Sequence, residues 1–214
     1  VDIADRDEIR IMVQTILDLY GRVDILFNNA GFGRLAWLDN MSADRDIDTQ
    51  IAVNLTGLIH MTHAVLPGML KRRSGHIINM SSVAGWIAPP TYTIYSATKF
   101  GVRAFTDALR REVHPYGVDV SGIYPGPAKT EFGEHTGAHP LKLSTMSRFF
   151  PPLTSKQVAA RVVELARNPR RTVIMPWYYR IAIWVERCIP WVVDWVTIAF
   201  LTKKRNKFKP NILQ

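Results

Sequence analysis

At 214 residues, 47% hydrophobic and 21% charged, the chain has material for one sizeable globular core with a small appendage. A single cysteine, Cys188, excludes an internal disulfide and a multi-thiolate metal site, and fits a reducing, cytoplasmic setting. The net charge of +9 is concentrated in residues 161–214, which hold 11 basic and 3 acidic side chains against 16 and 15 in residues 1–160; because that tail also carries Trp177, Trp184, Trp191 and Trp195, it points to an anionic membrane surface and away from nucleic acid.

Residues 1–5, Val-Asp-Ile-Ala-Asp, read as the end of a strand passing into a helix, so the chain is expected to begin in mid-fold. Residues 7–21 then place Ile9, Ile11, Met12, Ile16, Leu17 and Tyr20 near helical spacing and stop at Gly21. A short apolar strand at 23–27 runs into Asn28-Asn29-Ala30-Gly31. Residues 43–70 predict a long helical stretch with Ile47, Ile51, Val53, Leu55, Leu58, Ile59 and Val65 on its apolar positions. Next come a strand at 76–80, a helix at 95–113, and a strand at 118–124 ended by Pro125-Gly126-Pro127. The Gly-, Pro-, His- and Ser-containing stretch 133–152 predicts an irregular segment placed to cover a substrate. A helix at 156–167 and a strand at 172–175 complete the order. Alternation of strands and helices predicts an α/β fold with a doubly wound parallel sheet, helices on both faces, and ligands at the carboxyl ends of the strands. Residues 28–31, 81–85 and 125–130 occupy those ends. The division expected is a domain at 1–176 and a hydrophobic, basic tail at 177–214.

Tyr95 and Lys99 stand at i and i+4, on one face of the predicted helix. A phenol is almost wholly protonated at neutral pH, and a fixed cation nearby favours its phenolate, so Tyr95 is a candidate general acid or base. Ser82, 13 positions earlier and just past a strand, is placed to hold a substrate oxygen. Small residues and amides at 28–31 let the backbone approach a ligand closely. Asn54 is a polar residue inside an apolar helical stretch, either a satisfied core amide or an organiser of water. No metal site is expected: His135 and His139 share an i, i+4 gap without a third ligand.

Asn28-Asn29-Ala30-Gly31, Asn54, Ser82, Tyr95-x-x-x-Lys99 and Pro125-Gly126, in that order and with these gaps, resemble the classical short-chain dehydrogenase/reductases over nearly all of residues 1–176. The resemblance implies a Rossmann-like fold and an oxidoreductase that interconverts an alcohol and a carbonyl with NAD or NADP. It makes Tyr95 the proton donor or acceptor. Lys99 lowers the Tyr95 pKa and binds the nicotinamide ribose, Ser82 orients the substrate oxygen, and Asn54 holds a water joining Lys99 to solvent. By the same resemblance Asp2 lies beside the adenine, Asn28, Ala30 and Gly31 line the cofactor, and Pro125, Gly126 and Thr130 flank the nicotinamide. It also implies a homo-dimer or tetramer built on the helices near residues 44–73 and 95–113.

The family's opening strand, Gly-rich turn and second strand have no counterpart here, so the chain is expected to be an N-terminally truncated fragment lacking the first βαβ segment, one that alone folds poorly or binds cofactor weakly. The alternative is a non-catalytic fragment or membrane-bound scaffold of the same fold. In the tail, Arg180, Glu186, Arg187, Asp194 and Pro190 interrupt residues 177–201, which predicts two short amphipathic helices rather than a span of about 20 apolar residues. They are expected to lie peripherally or monotopically on a membrane through residues 177–209, with Lys203, Lys204, Arg205, Lys207 and Lys209 on anionic lipid. The competing expectation is packing on the protein's own substrate site or on a partner copy. Membrane contact implies a lipid-like alcohol or ketone as substrate.

Overall fold

The computed structural model describes residues 1–129 and 151–199. Helix α1 (Arg6–Tyr20) starts where Asp5 accepts hydrogen bonds from the amides of Asp7 and Glu8 at 2.7 and 3.1 Å, and stops where the Gly21 amide caps Leu17. Its inward face is Ile9 and Val13. Strand β1 (Ile25–Asn28) begins two residues later than the apolar run suggests and includes Asn28.

Residues 43–57 were expected as plain helix but wind through two wide turns, Ala43–Asp48 and Ala52–Gly57, with one α-turn, Thr49–Ile51, between them. Side chains enter the backbone ladder here: Gln50 Nε2 donates to the Asp46 carbonyl, and the Thr49 hydroxyl donates to the carbonyl of Arg45. Such insertions widen helical turns, and widened turns gather at functional sites. Regular helix resumes as α2 (Leu58–Arg72).

Strand β2 (Gly75–Met80), helix α3 (Thr93–Val113), strand β3 (Val118–Pro125), helix α4 (Ser155–Arg167) and strand β6 (Thr172–Met175) follow the predicted order. Between β3 and α4 lie the two-residue strands β4 (Ala128–Lys129) and β5 (Leu153–Thr154), which pair in parallel and are too short for any alternation to show in the sequence. The main sheet has the order β1-β2-β3-β6, parallel throughout.

Alternating β2 residues serve opposite faces, as the two-residue period requires. Ile77 joins Ile9, Val13, Met61, Val65, Leu109 and Val120 under α1, α2 and α3. Ile78 joins Ile123, Val173 and Leu165 under α4. Both faces are therefore covered, and the parallel register sends the carboxyl ends of all four strands to one side. β1 is an edge strand on which Ile25 and Phe27 stay exposed.

After β6 come α5 (Tyr179–Cys188) and α6 (Pro190–Thr197), separated by Ile189, whose φ of −139° and ψ of 56° are not helical. The break falls at Pro190, which has no amide hydrogen to continue the first helix. Among the described residues, no helix is long and apolar enough to cross a membrane.

Candidate active site

The carboxyl ends of β1, β2 and β3 supply the site, and α3 lies across them. Parallel register sets Asn28 beside Asn79, and Asn28 Nδ2 donates to Asn79 Oδ1 at 2.8 Å and to Thr62 Oγ1 at 3.0 Å. Its amide donors are thus spent on tying β1 to β2 and α2. Ala30 and Gly31 lie exposed just beyond. A side chain at Gly31 would put its Cβ 3.0 Å from Asn54 Oδ1 and 3.4 Å from Lys99 Nζ, so these side chains would have to give way by a few tenths of an ångström to anything larger than glycine. Asn28 and Ala30 also share a hollow of about 170 Å³ with Ile3 and Leu58. Asp2, one residue before Ile3, is exposed; its carboxylate accepts the Ala4 amide and its own amide donates to Glu8.

Asn54 is buried, and its amide clamps one residue's backbone: Oδ1 accepts the Phe32 amide at 2.9 Å and Nδ2 donates to the Phe32 carbonyl at 2.7 Å. Nδ2 also reaches Thr98 Oγ1 at 3.4 Å. One helical turn earlier, buried Gln50 makes the same kind of clamp on Arg34, accepting its amide at 3.0 Å and donating to its carbonyl at 3.4 Å. The pair fixes residues 32–34 next to α3. Gln50 escaped the sequence reading, although a polar residue four positions before Asn54 in an apolar stretch was the available signal.

At the end of β2 the Ser81 hydroxyl donates to the Lys99 carbonyl at 2.9 Å. The Ser82 hydroxyl donates to the Pro125 carbonyl at 3.3 Å, accepts the Ala84 amide at 3.1 Å, and shares a hydrogen bond with the Tyr95 side chain. Lys99 is buried, donates to the Met80 carbonyl at 3.1 Å, and lies with Nζ 5.6 Å from the centre of the Tyr95 ring. Ser82, Tyr95, Lys99 and Asn54, separated by up to 45 positions in sequence, therefore meet at one place. Tyr92 packs edge-on to Tyr95 with ring centroids 6.1 Å apart, held there through Thr91, whose φ of 72° lies in the left-handed region.

The model of the short chain dehydrogenase family matches residues 1–140. The chain is 38% identical over 169 residues to a 3-oxoacyl-[acyl-carrier-protein] reductase of Synechocystis, covering 78% of this chain and 67% of that protein. It is 38% identical over 135 residues to a 3-ketodihydrosphingosine reductase of Bacteroides thetaiotaomicron, covering 63% of this chain and 50% of that one. Over 216 residues it is 33% identical to a dehydrogenase/reductase, SDR family member 7B, of Xenopus laevis, covering 97% of this chain and 65% of the relative. The chain thus spans between half and two thirds of the length of these proteins. A solved gluconate 5-dehydrogenase from Burkholderia cenocepacia, in complex with NADP and tartrate, superposes with a TM-score of 0.73 at 26% identity, over 84% of this chain and 73% of that one. The chain belongs to the short-chain dehydrogenase/reductase family. Its named relatives are reductases and dehydrogenases, and the class is that of an oxidoreductase enzyme.

In this short-chain dehydrogenase, burial governs both titrating groups. Desolvation pushes the Tyr95 phenol up to about 12, with the Ser82 hydrogen bond pulling weakly the other way. Desolvation also brings the Lys99 ammonium down to about 8. The Lys99 ammonium lies 5.6 Å from the centre of the Tyr95 ring and donates to the Met80 carbonyl, while loss of water is the largest influence on the phenol.

Beside the site, the Pro125 carbonyl accepts from Ser82, and the Gly126 amide donates to the Met175 carbonyl at 2.7 Å. A Cβ at Gly126 would meet the Tyr179 ring at 2.5 Å, so α5 seats an aromatic side chain directly on the strand end. Tyr179 of the tail therefore packs against Gly126. Thr130, most of the segment 133–152 and both His135 and His139 lie outside the described residues. Among the described residues, no group of three or more His, Cys, Asp or Glu side chains is arranged to hold a metal ion.

Proposed function

We propose that the protein is a nicotinamide-dependent oxidoreductase interconverting an alcohol and a carbonyl, with Tyr95 as general acid or base. The observation that carries this reading is the meeting of the Tyr95 and Ser82 hydroxyls beside a buried Lys99 at the strand ends. NAD or NADP, when bound, supplies or accepts the hydride. The chain's own features fit such a group: Ala30 and Gly31 offer bare backbone, Gly31 has Asn54 and Lys99 immediately behind it, and the hollow beside Asn28 and Ile3 opens at the same strand end. In this reading Asp2, Asn28, Ala30 and Gly31 line the cofactor, Lys99 holds its ribose, and Pro125, Gly126 and Thr130 flank the nicotinamide.

With its phenol held at about 12, Tyr95 is neutral at physiological pH and is an acid ready to donate to a carbonyl oxygen. Ser82 orients that oxygen with its hydroxyl. Asn54 pins residues 31–32 beside Lys99, and water on its remaining lone pair links Lys99 to solvent. Oxidation of an alcohol runs the same proton transfer backwards.

The substrate is a small molecule of lipid-like character. Tyr92 and Tyr179 give the approach to Tyr95 aromatic neighbours, and relatives are named as reductases of 3-oxoacyl-[acyl-carrier-protein] and 3-ketodihydrosphingosine. Homo-oligomer formation through the helical stretches near residues 44–73 and 95–113 is part of the same reading, supported by the exposure of Ile51 and Phe100 on them. So is peripheral attachment of the tail to a membrane.

Tyr95→Phe removes only the transferable proton. It is expected to lower kcat by about 10²–10⁴-fold with the circular dichroism spectrum unchanged. A Tyr95→Phe enzyme of full activity would falsify the assignment.

A further inference from the structure

In the tail, large apolar side chains recur at alternating steps of four and three: Trp177 in the turn before α5, Ile181 and Trp184 along α5, then Trp191 and Trp195 along α6 and Ile198 at its C-cap, with exposed Cys188 at the step between. Every one of the six is more than half exposed. That spacing puts Ile181 with Trp184 on one stripe of α5, and Trp191 with Trp195 on one stripe of α6. The inner side of α5 is a different set, with Ile183 buried and Tyr179 against Gly126. A run of exposed tryptophans is unlike the scattered apolar residues of an ordinary surface. Indole has an apolar body and one polar N–H, and its most favourable environment is the headgroup region of a bilayer.

Charge and length sharpen the choice of partner. Arg180 and Arg187 are exposed on α5, and the sequence continues beyond the stripe with Lys203, Lys204, Arg205, Lys207 and Lys209. A second copy of the chain would bring an equally cationic tail against this one, and four tryptophans do not interdigitate as the smaller Leu, Ile and Val of a helix seam do. Helices of 10 and 8 residues cannot cross the roughly 20-residue hydrocarbon layer, so they lie along it.

We propose that the exposed stripes of α5 and α6 dock on an anionic lipid bilayer, both helices lying in the plane of the headgroups. This rests on the peripheral attachment proposed above and assigns its surface and its lipid charge. It also places the Gly126 side of the site directly behind the docked helix, because Tyr179 and the stripe belong to the same ten-residue element.

The test is co-sedimentation of the intact protein with vesicles of phosphatidylcholine alone and with about a third phosphatidylserine. Binding is expected to the anionic vesicles, to weaken with added salt, and to fall about tenfold or more in Trp184→Ser/Trp191→Ser/Trp195→Ser. Brominated lipid is expected to quench the tryptophan emission of the unaltered protein, a readout that holds even where the triple variant folds badly. Binding that ignores both the stripe substitutions and the bromines overturns the assigned surface and leaves attachment by another route. Equal binding to neutral vesicles overturns the anionic requirement. No binding to either vesicle overturns the attachment itself, and loss of self-association in the triple variant would instead make the stripe a contact between copies.

Discussion

Lys99, Asn54, Gln50 and Thr98 are each 4% exposed or less, whereas Trp177, Trp184, Trp191 and Trp195 are 62–70% exposed. Polar groups are inside at the site and large apolar groups are outside in the tail. A buried polar group is costly unless it finds a partner, and each of these four has one within the chain: Met80, Phe32, Arg34 and Tyr95 respectively. The exposed tryptophans have no comparable internal solution. Among the described residues the site is therefore held by the chain's own backbone, whereas the tail's outer face is the surface assigned above to the proposed bilayer contact.

Lys99→Met breaks the first half of that contrast with the largest effect. Activity is expected to drop by about 100-fold or more if the ammonium positions the reacting groups. Stability should move the other way. A lysine whose folded pKa is lowered from 10.5 to about 8 destabilises the fold in full below pH 8, and the penalty disappears as pH rises from about 8 to 10.5. Removing it should raise the unfolding free energy by about 1–3 kcal/mol at pH 7, offset in part by the Met80 carbonyl left without its donor, with little gain at pH 10.5. Urea midpoints at the two pH values check this. The pH profile gives a second reading: reductive kcat/KM is expected to stay level below pH 8 and decline above it in the native enzyme, while Tyr95 stays protonated to about 12, and Lys99→Met should lack the break near 8.

The paired amide clamps come next in size. Gln50→Ala and Asn54→Ala each orphan a backbone amide and a carbonyl of the segment 32–34, and each should cost about 1–3 kcal/mol in denaturant unfolding. Only Asn54→Ala should also raise the KM for cofactor strongly, because Asn54 touches the Gly31 backbone position and Gln50 does not. Equal loss of affinity in both variants would mean that the whole segment, rather than its Lys99 end, carries the site.

The order of elements along the chain and the helices that cover the sheet were legible because apolar periodicity is a local property of a sequence, and the Ser82, Tyr95 and Lys99 cluster because short motifs at these gaps resemble a known family. The wide turns at 43–57 were not, since their cause is where Thr49 and Gln50 send their hydrogen bonds, and Gln50 finds Arg34 only after the chain has folded back. Nor was the burial of the Tyr95 side chain. An i, i+4 pairing fixes that a cation is near, but burial of the hydroxyl depends on Leu35, Ala84 and Tyr92 closing around it. The role of Tyr179 was hidden for a related reason: in sequence it is one more aromatic in a tail of aromatics, and only its contact with Gly126 separates it from the exposed set.

Gly126 is where the two regions touch, and it tests whether they are independent. Gly126→Ala would place a methyl group 2.5 Å from the Tyr179 ring, so the ring or the whole of α5 has to shift. The expected cost is about 1 kcal/mol, at the small end of overpacking because a ring edge at a helix start has room to turn. In the double-mutant cycle, Tyr179→Ala should relieve that cost and give a coupling energy of about 0.5–1 kcal/mol. If Gly126→Ala also alters the KM for the carbonyl substrate, and Tyr179→Ala restores it, the inner face of α5 belongs to the substrate site. Strict additivity in both stability and KM would separate the tail from the site and leave α5 as a surface element with a single, outward role.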